Sequence, residues 1–210
     1  VTLTVLYEWG GFNRELFSAI NGFRGPVIDL LMLTGTQLGD VWNALWIALA
    51  LLLVLVSSRL LRRSPRLARL PDARRVADLL LVFVVGCAIT ALLVFSAKAA
   101  FHMPRPFMAL PSGSVAVLAE LKEPHSFPSG HSAFAMLVAW VFWPYCQRRW
   151  KALLALCVVW VGVSRISVGA HFPADVLAGY LFGAISGWLA SRVLALREKE
   201  CSIGDAAVRP

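Results

Sequence analysis

The chain has 210 residues, 59% hydrophobic and 15% charged, with a mean hydropathy of +0.71. A soluble domain runs about 45–50% apolar and about 25% charged. This composition therefore excludes an ordinary water-soluble body and a disordered chain, and its four cysteines are too sparse for a disulfide-framed module. The net charge of +8 comes from 20 Lys and Arg against 12 Asp and Glu. Its placement along the chain decides between nucleic-acid binding and membrane topology.

Residues 1–40 are broken by Asn13, Arg14, Glu15, Asn21, Arg24, Asp29 and Asp40. After Pro26, Leu30, Leu31, Leu33 and Leu38 suggest an amphipathic segment, expected as an interfacial helix that could complete a sixth span. No basic region leads into an apolar one here, so a secretory signal is not expected. Five uncharged apolar runs follow: 41–58, 79–97, 132–147, 152–164 and 176–191. A spanning helix needs about 20 residues. With their polar flanks the runs predict spans at about 41–60, 77–98, 130–147, 151–168 and 174–194. The fold class expected is all-α, a polytopic transmembrane helix bundle. One membrane-embedded domain covers 1–196, and 197–210 form a loose polar tail.

The bases sort by side. Arg59, Arg62, Arg63, Arg66, Arg69, Arg74 and Arg75 lie between the first two spans. Arg148, Arg149 and Lys151 lie between the third and fourth, and Arg192, Arg197 and Lys199 follow the fifth. Five alternating spans put these clusters on one side, which the positive-inside rule makes cytoplasmic. Most of the charge is thus an orientation signal, and nucleic acid is not expected as a partner. Only six bases face outward: Arg14, Arg24, Lys98, Arg105, Lys122 and Arg165.

The outward segments hold three polar groups. Lys98 and Arg105 are seven residues apart, about two helical turns, which suits an anion with several oxygens. Pro104 and Pro106 break the helix and fix the Arg in a turn. Pro128-Ser129-Gly130-His131 opens the third span. Ser129 is an N-cap residue, Gly130 permits close backbone approach, and free N–H groups at a helix start bind phosphate-like anions. The third group runs from Ser164-Arg165 to His171 and Asp175. His171 and Asp175 are four apart, so one helical turn can set a carboxylate beside an imidazole. Charged groups at the ends of apolar helices are costly unless they pair or bind something.

The pattern Lys98-x6-Arg105-Pro106, Pro128-Ser129-Gly130-His131, Ser164-Arg165-x5-His171-x3-Asp175 resembles the three-part signature of the type 2 phosphatidic acid phosphatase superfamily, in its integral-membrane lipid-phosphatase branch. The resemblance implies a phosphohydrolase that works without metal or other cofactor. His171 would attack phosphorus and become a phosphohistidine, with Asp175 orienting it. His131 would protonate the leaving oxygen and then help water break the intermediate. Lys98, Arg105 and Arg165 would bind the phosphate oxygens, and Ser129 and the Gly130 N–H would add hydrogen bonds. The carboxylates and Cys/His residues are too scattered for a zinc or two-metal site.

The expected substrate is a lipid phosphate or diphosphate in the bilayer. Undecaprenyl diphosphate leads, with phosphatidylglycerol phosphate, phosphatidic acid and lipid A 1-phosphate as alternatives. A lipid phosphotransferase and a non-enzymatic phosphate-lipid binder are the rival readings. The expected location is a bacterial inner membrane with a periplasmic active site. His102 and His125 are discounted as local contacts, and the cysteines as small apolar residues. Trp42, Trp143 and Trp150 read as interface anchors. The stripe Gly179, Gly183 and Gly187 reads as close helix packing, within one chain or between two.

Overall fold

The computed structural model describes residues 8–60, 71–118 and 123–207. Arg62, Arg63, Arg66, Arg69, Lys122 and Arg209 lie outside the described residues, as does most of the arginine run expected to set topology. Among the described residues every regular element is helical. They are α1 (Phe12–Gly22), α2 (Pro26–Leu38), α3 (Asn43–Leu60), α4 (Ala73–Phe101), α5 (Gly130–Phe142), α6 (Arg148–Ser167) and α7 (Pro173–Ala207). A one-turn helix, Pro106–Ala109, sits in the α4–α5 connection.

The helices begin and end where side chains satisfy their free backbone groups. Asp72 accepts from the Arg74 N–H at the start of α4, and Ser129 accepts from the Ser132 N–H at the start of α5. Pro26 and Pro173 open α2 and α7, where the missing N–H costs nothing. His102, at φ 46°, ends α4 in the left-handed region.

Among the described residues, four helices are long and apolar enough to cross a membrane: α3, α4, α6 and the Pro173–Arg197 part of α7. This corrects the expectation of five strong spans. The run at 130–147 forms a helix of only 13 residues, because Pro144 enters a 3-10 turn at Trp143–Tyr145. Thirteen residues reach about 20 Å, short of an apolar layer of about 30 Å. α5 is instead the interior helix, packed by α7, α4 and α6. Phe134, Leu137 and Val141 of α5 meet Val82 and Phe83 of α4 in the core.

The N-terminal segment also differs from a single interfacial helix. α1 and α2 form a pair bent by 118°, apolar enough to count as one broken span, and α2 lies along α6. The loose tail expected from residue 197 continues α7 as helix to Ala207. Outward surfaces are apolar where lipid would sit: α3 alone exposes Leu45, Trp46, Leu49, Leu52 and Leu53. The protein is a multi-pass membrane helix bundle.

The glycine stripe packs within the chain. A Cβ at Gly179, Gly183 or Gly187 would lie within 3.0 Å of α5 atoms or of the Ser129 carbonyl that caps it. α7 and α5 are therefore in backbone contact along three turns, as small-residue seams between membrane helices allow.

Candidate active site

One end of the bundle gathers the C-terminal ends of α4 and α6 and the N-terminal ends of α3, α5 and α7. A cleft of about 480 Å³ opens there, and its walls include Lys98, Arg105, Gly130, His131, Arg165 and His171. Residues drawn from three sequence motifs thus meet in one cavity. Among the described residues, no three His, Cys, Asp or Glu side chains come together as a metal site. The positive charges in the cleft suit an anion instead.

The cations are aimed by backbone and side-chain acceptors. Lys98 Nζ donates to the His125 carbonyl at 2.7 Å and lies 3.9 Å from the Glu123 carboxylate. Arg105 donates through Nη1 to the Ala170 carbonyl at 2.9 Å and through Nε to the Glu123 carbonyl. Arg105 stands in the turn that its flanking prolines predict, beyond the helix of Lys98: α4 stops at Phe101, and Arg105 caps the one-turn helix that Pro106 begins. A backbone bridge between Pro104 and His125 folds that turn back over the cleft, and the His102 and His125 rings stack edge-on beside it. Arg165 Nη1 donates to the Thr36 hydroxyl, and its Nε is buried without a protein partner.

His171 sits in the turn between α6 and α7, with its backbone N–H bonded to the Arg165 carbonyl at 3.2 Å. Gly169, at φ +79°, makes this turn possible, and a Cβ there would strike the Ala116 carbonyl. The His171 Nδ1 lies 3.6 Å from Asp175 Oδ2, too long for a hydrogen bond. Ser126 fills the gap. Its hydroxyl donates to Asp175 Oδ2 at 2.5 Å, which leaves the oxygen facing His171 Nδ1 at 3.4 Å. The same Asp175 oxygen accepts from the Phe172 N–H at 2.8 Å. Ser126 and Asp175 are fully buried and His171 is 2% exposed. Burial first, then the charges of Arg165, Arg105 and Lys98, hold the His171 imidazole well below its usual range, so it is neutral near pH 7.

His131 stands in the first turn of α5 and lines the same cleft, with Gly130 beside it. Ser129 is the N-cap of α5, as its sequence position predicts. It is fully buried, accepts from the Ser132 N–H and hydroxyl, and donates its own N–H to the Asp175 carbonyl. It ties α5 to α7 and does not line the cleft.

Three further residues support the site without belonging to any motif: Ser126, Thr36 and Asn13. The Asn13 side chain accepts from the Ala174 N–H at 3.0 Å and so caps α7 just before Asp175. The cleft also has an apolar side, built from Val41, Trp42, Ala91, Val94 and Phe95. It adjoins a second groove that shares Val41, Trp42 and Cys87 and continues down α3 and α4 past Leu45, Ala48 and Val84.

Comparison with known proteins follows this geometry. The family model described as PAP2 superfamily matches residues 79–199. The lipid A 1-phosphatase of Rhizobium johnstonii is 42% identical over 74 residues, 33% of this chain and 28% of that protein. The chain thus matches under a third of that relative's length. The undecaprenyl-diphosphatase of Sulfolobus acidocaldarius is 26% identical over 184 residues, 87% of this chain and 79% of that one. The crystal structure of Aquifex aeolicus LpxE superposes with a TM-score of 0.68 at 28% identity, covering 86% of this chain and 95% of that one.

Proposed function

The chain belongs to the PAP2 superfamily, and from that premise we propose that it hydrolyses a lipid phosphate or diphosphate through a phosphohistidine, without a metal. The observation that carries this reading is a neutral, buried His171 facing three cations in a cleft that runs on into an apolar groove. Binding a phosphate needs the cations alone. Breaking a phosphoester also needs a nucleophile and an acid, and His171 and His131 supply both within one cavity.

In this mechanism Lys98, Arg105 and Arg165 neutralise the phosphoryl oxygens, the main demand of phosphoryl transfer. Ser126 and Asp175 take up the Nδ1 side of His171, which directs its Nε2 at phosphorus. The new N–P bond forms as the ester P–O bond breaks. His131, whose imidazole is held below its usual range by burial and by the charges of Arg165, Arg105 and Lys98, takes a proton once the phosphate anion offsets those charges and gives it to the departing oxygen. Water then attacks phosphorus on the opposite path. His131 takes the water proton, the P–N bond breaks, and His171 is restored as phosphate leaves. Asp175 and Ser126 stabilise the positive charge that His171 develops. The Gly130 N–H at the α5 terminus adds a donor for the anion. The capping geometry of Ser129 suits a structural task, so its expected direct contact with phosphate is not carried into this mechanism.

The apolar groove along α3 and α4 supports a substrate with a long hydrocarbon tail, its phosphate at the interface. Undecaprenyl diphosphate is the leading substrate in this reading, because a relative that matches 87% of this chain is named for it. Residues 1–196 act as one catalytic domain in this reading. The side rich in exposed arginine faces the cytoplasm, which places the cleft on the outer, periplasmic face of a bacterial inner membrane. The test is phosphate release by purified protein in EDTA from undecaprenyl diphosphate, phosphatidylglycerol phosphate, phosphatidic acid and lipid A 1-phosphate, with His171→Ala as control. Release from none of them, or equal release by the control, overturns the reading. Phosphate recovered on an added acceptor lipid, with no inorganic phosphate released, would show a phosphotransferase.

A further inference from the structure

Arg165 is the cleft cation that is aimed from outside the segment 79–199. Arg105 spends Nε and Nη1 on two backbone carbonyls, which fixes its plane. Arg165 has no such pair. Among the described residues, the hydrogen-bond partner of its guanidinium is the hydroxyl of Thr36, in the last turn of α2. Both residues are 5% exposed, and Arg165 Nε is buried with no protein acceptor. A buried guanidinium N–H without an acceptor is expensive unless an anion completes it.

The helix that carries Thr36 is itself held firmly. A Cβ at Gly35 would lie 2.6 Å from Trp160 Nε1, and one at Gly39 would lie 2.6 Å from Val161 Cγ1 and 3.0 Å from His131 Cβ. Trp160 Nε1 donates to the Leu31 carbonyl at 3.1 Å. Glycines on both sides of Thr36 thus seat α2 directly against side chains of α6, and Gly39, which caps α2, packs against His131.

We propose that Thr36 is a positioning residue for Arg165 and that α2 is a fixed wall of the phosphate site. The hydroxyl holds Nη1 and so fixes the plane of the guanidinium that lines the cleft, ready to take phosphate oxygens. This rests on the phosphohydrolase reading above. Arg165 then binds phosphate with geometry set by a helix more than a hundred residues away in sequence.

Thr36→Val removes the hydroxyl at nearly constant shape, and Thr36→Ser keeps it. Two quantities are read: kcat and KM for phosphate release, and inhibition by orthovanadate, a phosphate mimic that meets the same donors. Thr36→Val should weaken vanadate inhibition and lower kcat/KM, each about tenfold, as expected for a hydrogen bond to a charged group. Thr36→Ser should stay within about twofold of the parent. On an Arg165→Lys background, Thr36→Val should change vanadate inhibition less than about twofold, since the two losses share one cause. Unchanged vanadate inhibition in Thr36→Val, or a full tenfold further loss on the Arg165→Lys background, overturns the proposal. If Thr36→Val fails to fold, Thr36→Ala against Thr36→Ser is read by the same criteria. A parent protein that releases phosphate from no lipid defeats the phosphohydrolase reading itself, whereas an active parent matched by Thr36→Val defeats the role of Thr36 alone.

Discussion

Arginine plays opposite parts at the two ends of this bundle. At the cleft end Arg105 and Arg165 are 6% and 5% exposed and are held by acceptors drawn from distant segments. At the other end Arg59, Arg74 and Arg197 rim a shallow pocket around Asp78 and remain exposed. Arg149 and Arg192 there lie over the rings of Trp150 and Trp188. The same side chain is a desolvated, aimed charge in one place and a hydrated interface anchor in the other. Net charge alone therefore says little about function. Cost of burial marks the site, because buried charge is retained only where it meets an opposite charge or a ligand.

That contrast can be broken most severely at the nucleophile. His171→Ala should lower phosphate release at least about 10³-fold while the protein stays folded in the membrane, measured by phosphate assay and size-exclusion profile in detergent. Arg105→Lys comes next. A lysine keeps the charge but cannot bond two carbonyls and a phosphate in one plane, so kcat/KM should fall about 10²-fold. Ser126→Ala removes the bridge between Asp175 and His171 and should cost about tenfold in kcat, with KM little changed.

The pH dependence tests the burial argument directly. His171 must be neutral to attack, and its proton affinity is depressed by burial and by three cations. A free imidazole would gain its proton as pH falls through about 6.5, whereas His171 should stay neutral there. The acid limb of kcat/KM should therefore lie clearly below that pH, and a limb at or above it would contradict the buried, cation-flanked site. At the opposite end, Arg197→Gln should alter kcat/KM less than about twofold, since an exposed arginine contributes little. A large loss there would erase the distinction between the two ends.

The motif residues were readable because the chemistry lies in short local strings: Lys98 to Arg105, Ser129 to His131, Arg165 to Asp175. Their supports were not. Ser126 meets Asp175 across 49 residues, Thr36 meets Arg165 across 129, and Asn13 caps α7 across 161. No periodicity encodes such contacts. Two of the polar residues that seemed to interrupt the N-terminal segment point inward, while Arg14 and Glu15 stay exposed. Asn13 and Asn21 are 1% and 3% exposed, and Asn21 bonds the Ala116 and Ser167 carbonyls, locking the loop behind His171. Hydropathy read these as breaks in a span, when they are its attachments. It also ran past Pro144, where the backbone ends α5, and so made an interior helix look like a spanning one.

The glycine seam between α7 and α5 has one further consequence. Gly179 packs under the Ser129 carbonyl, at the turn that presents His131, and it lies one helical turn from Asp175. The spacing of His131 from His171 therefore depends on the absence of a side chain at Gly179. A single alanine at Gly179 or Gly183 would act as a wedge and move the two imidazoles apart without touching either. Geometry at this end of the bundle is thus set by steric spacing along a helix seam as well as by the residues that line the cleft.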